Sequence, residues 1–261
     1  MAKIITVKDM DANAIGKYLT GYNCEAGDFK WRIFHIDGKK VYIITDDYIP
    51  FNVAPLGRKG TPLYVNDNEY MLSFDDIVMD YKGIQDITDP RIKALNSLFF
   101  KTNTDENTNI NMKAVAFMLD TKAWGKFANE NSEYAIGGPT LELFVKSYNL
   151  THKRKLKVMS DEVGYMIKYK DENKFHYYAT DLDYRDSLYF KADTSKAYRM
   201  WLASPSAGST NHVMHVYCGG HVYITGYTNT SIGFRPLACL KSDIQLEVDG
   251  DGYKIIECVK I

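Results

Sequence analysis

The sequence predicts an α+β fold with antiparallel sheets, central helices and C-terminal β-hairpins. Three observations carry that expectation. A hairpin signal stands near the N-terminus, apolar stripes at helical spacing occupy the middle, and short segments split by turn residues fill the chain beyond about residue 156. A helical middle flanked by strands from both ends is the pattern of an α+β domain rather than of alternating strands and helices.

In chain order, 31–49 (WRIFHIDGKKVYIITDDYI) places two apolar segments around Asp37-Gly38, a strong hairpin signal. The continuous β-branched and aromatic run Val41 to Thr45 predicts a buried strand. Pro50, Pro55, Gly57, Gly60 and Pro62 make 50–70 a loop. Ser73 with Asp76 resembles a capping box over a short helix ending near Tyr81. Asp89 caps a second helix with Pro90 at its first position, and Ile92, Leu95 and Phe99 fall on one face. Met112, Val115 and Leu119 mark a third, stopping before Gly125. The polar stretch 102–111 between them is loop by composition. After Gly137-Gly138-Pro139, Thr140 caps the clearest amphipathic helix, with Leu141, Phe144, Val145 and Tyr148 at i, i+3, i+4 and i+7. Strands are expected at 164–169, 187–191, 198–203, 211–218, 221–227 and 236–241, and a last hairpin turns at Asp249-Gly250-Asp251-Gly252 within 244–259. Residues 1–242 read as the main domain, and 243–261 as a hairpin extension packed on it.

Composition narrows the function classes. With 261 residues the chain can bury a substantial core, and a net charge of −1 gives no electrostatic reason to expect nucleic acid as a partner. No stretch approaches the length of a membrane-spanning helix, and the N-terminal apolar run is too short for a signal peptide. Cys24, Cys218, Cys239 and Cys258 are scattered with no CxxC pair, which fits free thiols better than a disulfide framework. Twenty tyrosines are enough to suggest sheet faces that also serve as contact surfaces.

The stretch 211–223, NHVMHVYCGGHVY, spaces His212, His215, Cys218 and His221 three apart, all metal-ligand residue types. On a helix that spacing drifts by about 60° per step, so the first and last residues face opposite ways. Gly219-Gly220 and the valines favour a hairpin instead. A two-residue Gly-Gly turn pairs Cys218 with His221, Val216 with Tyr223 and Met214 with Thr225. At most Cys218 and His221 then share an ion, whereas zinc needs three or four protein ligands. No metal and no cofactor is expected. In that register Val213, His215, Tyr217, Val222 and Ile224 form the core side. His212, Met214, His221, Tyr223, Thr225 and Tyr227 form a mixed outer side, of which His212, His221, Tyr223 and Tyr227 suit ligand recognition.

The series Met200-Trp201-Leu202-Ala203-Ser204-Pro205-Ser206, the hairpin after it, and Ile232-Gly233-Phe234-Arg235-Pro236-Leu237 resemble a bacterial and phage domain. In that group a W-L-x-S-P-S element precedes a variable hairpin and a G-[FV]-R-P strand. WRIFHIDGKKVYIITDDYIP and EYAIGGPTLELFVKSYN also look like this group, so the resemblance spans roughly 15–242. It implies a C-type-lectin-like domain, related in architecture to formylglycine-generating enzymes and phage tropism determinants. Physical roles follow for its residues. Trp201 is an apolar anchor, Ser204 and Pro205 end its strand, and Gly233 permits close backbone approach before Phe234 enters the core. Arg235 clamps loop carbonyls or a carboxylate.

The calcium-lectin triplets are absent, and neither Cys218 nor Cys239 sits in a formylglycine-generating motif. The reading is a non-enzymatic virion decoration or host-attachment protein, assembled in the host cytoplasm, with surface glycans as the candidate ligand. Its partners would be other virion proteins, a host surface glycan or protein, and a second copy of itself, with no nucleic acid and no membrane insertion. A bacterial surface adhesin module and an intracellular enzyme of formylglycine-generating-enzyme-like fold are the alternatives.

Overall fold

The computed structural model describes residues 2–21, 30–38, 40–48, 71–72, 138–160, 165–168, 176, 178–191, 197–207, 212–226, 229, 231–240 and 244–256. Among these residues the chain forms fourteen β-strands, two short 3-10 turns and one α-helix. The α+β class with central helices is therefore corrected to a mainly β architecture. The expected helices near 73–81, 89–99 and 112–119 lie outside the described residues. Strand content was underread for a physical reason. Segments such as Ile4–Thr6 and Tyr18–Thr20 are too short to show a period of two, and they become strands because a distant partner satisfies their backbone groups.

The larger sheet contains β1 (Ile4–Thr6), β2 (Tyr18–Thr20), β3 (Trp31–Asp37), β4 (Lys40–Thr45), β12 (Leu237–Leu240), β13 (Gln245–Asp249) and β14 (Gly252–Ile255). Its order is β1-β13-β14-β2-β3-β4-β12, so the C-terminal hairpin is inserted between the first two strands of the chain. All neighbours run antiparallel except β14 and β2. Asp37 pairs with Lys40 across the expected tight turn, and Val41, Ile43, Ile44 and Thr45 are fully buried.

The second sheet has the order β10-β9-β8-β11-β5, from β10 (His221–Gly226), β9 (His212–Tyr217), β8 (Arg199–Pro205), β11 (Ile232–Gly233) and β5 (Met71–Leu72). A separate hairpin pairs β6 (Lys157–Ser160) with β7 (Tyr165–Lys168), and Tyr165 bridges to Ser206 beside the second sheet. The strand expected at 187–191 is instead a turn at 187–189. Asp186 decides this, because its side chain accepts from the Leu188 N–H and its carbonyl from Tyr189 and Phe190, an Asx-type turn that competes with strand pairing.

Helix α1 (Leu141–His152) packs between the two sheets. Thr140 accepts from the Leu143 N–H at 3.2 Å, the capping geometry expected of it. A second orphan donor of the first turn, the Leu141 N–H, donates to Ser204 Oγ at 2.9 Å, so the end of β8 completes the cap. The helix buries Leu141, Phe144, Val145 and Tyr148 in one cluster with Phe34 and Ile44 of the larger sheet and Leu202, Met214 and Val216 of the smaller. Phe144, Tyr148, Tyr189 and Phe190 meet largely edge to face, with centroids 5.3 to 6.0 Å apart for Tyr148–Tyr189 and Phe144–Phe190.

The chain passes from the second sheet to the first through Phe234-Arg235-Pro236, between β11 and β12. Trp201, Phe234 and Arg235 are all fully buried. At Gly233 any Cβ would lie 2.4 Å from a Tyr48 ring carbon and 2.7 Å from the Ala197 Cβ, so the crossing requires a residue without a side chain. Arg235 donates from Nε to the Thr45 carbonyl and from Nη1 to the Leu188 carbonyl, both at 2.8 Å. Burial lowers its pKa to about 10, which leaves it charged at neutral pH. Replacing Arg235 by Met retains apolar volume but strands two buried carbonyls, at an expected cost of about 3 kcal/mol. Urea unfolding measures this, and an unchanged midpoint would show that water satisfies those carbonyls instead.

Candidate functional site

The site is built on the β9–β10 hairpin, and the turn sets its geometry. The Gly220 N–H donates to the Tyr217 carbonyl at 3.1 Å, and Gly220 takes φ +83°, a left-handed value that favours glycine. The loop is therefore three residues, Cys218-Gly219-Gly220, of the kind in which a turn is followed by a left-handed glycine. A Cβ at Gly220 would also sit 2.4 Å from the Leu182 carbonyl oxygen.

One extra loop residue changes the register. His221 pairs with Tyr217, Tyr223 with His215 and Thr225 with Val213. The two-residue turn is corrected, and with it the faces expected of Met214, His215 and Tyr217, since a slip of one residue sends each side chain to the opposite side; Val213 is fully buried as expected. Met214 and Val216 join Val222 in the core, and His212 projects to their side of β9 rather than to that of Tyr223. His215 and Tyr217, expected in the core, share the other face with His221, Tyr223 and Thr225. Tyr227 lies outside the described residues.

β8 continues this face. Arg199 stands opposite Tyr217, and Trp201 opposite His215. Two side-chain rows thus cross the sheet, Arg199–Tyr217–His221 and Trp201–His215–Tyr223. The first row is stacked: the Arg199 guanidinium lies 5.7 Å from the Tyr217 ring centroid, and Tyr217 and His221 are 5.8 Å apart at 25°. In the second, His215 meets Trp201 and Tyr223 edge to face at 6.5 and 6.1 Å. Beyond β10, Ala179 bridges to Val222 on the core side, so alternation turns its neighbours Tyr178 and Thr180 onto the face with Tyr223.

Between these rows and the 178–180 segment lies a cavity of about 520 Å³. That is the size of a small-ligand site. Tyr223 (51% exposed) and Tyr178 (39% exposed) offer accessible rings 6.1 Å apart, while His215 is only 3% exposed. Two polar atoms in the wall lack a hydrogen-bond partner, His215 Nδ1 and Arg199 Nε. Burial, reinforced by the Arg199 charge, lowers the His215 pKa to about 3, so its imidazole is neutral at physiological pH.

Sequence reasoning found His221 and Tyr223 but missed Tyr178, Thr180 and Arg199. The Tyr198-Arg199 pair was a signal for an aromatic-flanked cation, but only the β8–β9 pairing brings it to the cavity. Cys218 stays in the turn while His221 stands opposite Tyr217, and burial pushes the Cys218 thiol up, away from the thiolate a nucleophile needs. No cluster of three or more His, Cys, Asp or Glu side chains converges among the described residues.

A second polar constellation lies at the end of α1. Thr151 Oγ1 is 2.9 Å from His152 Nδ1, and His152 Nε2 is 3.6 Å from Asp186 Oδ2, an order reminiscent of a nucleophile, base and acid. Its hydroxyl also lies 3.2 Å from the Ser147 carbonyl, 3.3 Å from that of Tyr148 and 3.0 Å from the Tyr189 hydroxyl. The His152 ring stacks flat on Tyr148 at 4.1 Å. These bonds close the last turn of the helix and explain the cluster without catalysis.

A family model described as a domain of unknown function, DUF6273, matches residues 43–242, well over half of the chain. The chain belongs to that family. The matched region holds the end of β4 and β5 through β12, and so includes the cavity. No curated protein and no solved structure matches the chain.

Two buried neutral histidines couple stability to pH. His35 is held down to about 4, mainly by burial, and His215 to about 3, whereas the unfolded chain protonates near its ordinary value of about 6.5. Folded values below unfolded ones mean that stability falls as pH drops below about 6.5. Each histidine costs about 2 kcal/mol between pH 7 and pH 5. His215→Gln should flatten the fall of the urea midpoint over that interval by roughly half. Superimposable wild-type and variant profiles would show that His215 is protonated in the folded protein.

Proposed function

We propose that the protein is a non-catalytic binding module whose ligand, a saccharide, occupies the cavity between the β9–β10 hairpin and residues 178–180. The observation that carries this reading is the pairing of accessible Tyr223 and Tyr178 rings with recessed polar groups in one cavity. A sugar presents an apolar ring face and a polar edge, and needs a flat aromatic surface beside convergent hydrogen-bonding groups. Tyr223 and Tyr178 supply the surface; His221, Thr180 and Thr225 supply the edge contacts. Because Tyr223 is held on a strand, little side-chain freedom is lost on binding.

The setting we infer is attachment or decoration on a phage virion, with a bacterial surface adhesin as the second setting. This rests on the resemblance of Trp201 to Ser206 and Gly233 to Pro236 to domains of phage structural and bacterial surface proteins. Surface glycans and neighbouring virion proteins are then the partners.

Tyr223→Ala together with Tyr178→Ala should lower saccharide binding at least tenfold on a glycan array and by titration calorimetry. Because both side chains are exposed, the melting temperature should move by less than about 2 °C. Saccharide binding at full strength in a folded double variant would remove the aromatic platform from the site.

A further inference from the structure

Three features of the cavity go beyond a general taste for sugars. The first is its charge. Among the described residues that line it, Arg199, His215 and His221 are the basic types, and none is Asp or Glu. The second is the state of Arg199. Its guanidinium lies 5.7 Å from the ring centroids of both Tyr198 and Tyr217, and among the described residues no carboxylate pairs with it. Half-buried arginines ordinarily resolve their charge through a bidentate acidic partner, as Arg32 does in part with Asp46 at 3.5 Å. Here two aromatic faces orient the cation, and no carboxylate among the described residues neutralises it. The third is that the two unpartnered atoms come from neighbouring rows. Arg199 Nε and His215 Nδ1 belong to neighbouring rows of the same face, close enough for the Arg199 charge to act on His215. A neutral imidazole can still donate one hydrogen bond and accept another.

Ligand classes can be sorted against these features. A quaternary ammonium or basic peptide would suit the tyrosines but would meet an uncompensated guanidinium with no opposing carboxylate. A neutral sugar would fill the aromatic surface and leave the Arg199 donors to water. A sugar acid uses both, with its ring on Tyr223 and its carboxylate on the guanidinium fork.

We infer that the cavity selects saccharides carrying a carboxylate, with Arg199 as the anion-binding residue, His215 as a recessed hydrogen-bonding partner and Tyr223 as the ring platform. The inference rests on the saccharide reading above and adds the ligand's charge class and the residue that reads it.

The test is a panel of matched saccharides: glucose with glucuronate, galactose with galacturonate and with galactose 6-sulfate, and N-acetylmannosamine with N-acetylneuraminate. Each is titrated into the full chain at low and high salt. The wild type should bind at least one carboxylated member tenfold or more tighter than its neutral partner. That ratio should shrink as salt rises, because the contact is ionic and partly exposed. Arg199→Gln should bring the acid-to-neutral ratio near one, with circular dichroism and the unfolding midpoint confirming a folded variant. If Arg199→Gln does not fold, Arg199→Lys, which keeps the charge without the planar fork, should lower the ratio severalfold. Neutral members binding as well as acids would overturn the charge selection and leave the saccharide reading standing. An acid preference that survives substitution of Arg199 would overturn its assignment, and a preference for the sulfate would overturn the choice of carboxylate. Binding of no member at all would overturn the saccharide reading itself.

Discussion

The molecule depends on one crossing, where the chain leaves the smaller sheet at Gly233 and enters the larger one at Leu237. Arg235 sits at that point, wholly buried, and its guanidinium holds the carbonyl that ends β4 and the carbonyl of Leu188 in the adjoining turn. A buried cation is costly and Nη2 has no partner, so the two bonds from Nε and Nη1 leave little freedom in how the two sheets and the turn meet. Close packing at Gly233 against Tyr48 and Ala197 removes more of that freedom. Helix α1 is tied to the same region through Ser204, which receives its first N–H. The sheets and the helix are thus joined by a few oriented hydrogen bonds as well as by apolar burial.

The cavity is a consequence of that frame. β8 carries Ser204 at one end and Arg199 at the other, so the strand that caps the helix also delivers the cation to the outer face. β9 turns Met214 and Val216 inward and His215 and Tyr217 outward, and the 178–180 segment closes the far side by pairing with Val222. A floor with an accessible aromatic rim follows from the β8–β9–β10 pairing and the single bridge between Ala179 and Val222.

The two arginines make an instructive contrast. Arg235 is spent on carbonyls of its own chain and acts as scaffold. Arg199 is oriented by tyrosine faces and has no anionic partner among the described residues. Residue type is the same, and the surroundings decide whether a guanidinium holds the fold or remains open to a ligand.

Local chemistry was legible in the sequence wherever neighbours in the chain decide the outcome. The Asp37-Gly38 turn, the buried run Val41 to Thr45, the Thr140 cap and the stripe of α1 all follow from short-range sterics, capping and periodicity. His221 and Tyr223 were found for the same reason, since alternation along one strand is a local property. Tertiary structure alone decided the rest. Short strands at 4–6 and 18–20 exist because a distant hairpin pairs with them, and Asp186 turned an apolar segment away from strand pairing. The faces of β9 hung on whether two or three residues close the Gly-Gly turn, where Gly220 packs against the Leu182 carbonyl. Arg199 reached the cavity only through pairing across β8 and β9. A sequence determines which segments can be strands; long-range backbone pairing determines which neighbours those strands receive, and sites assembled across strands are set by that second step.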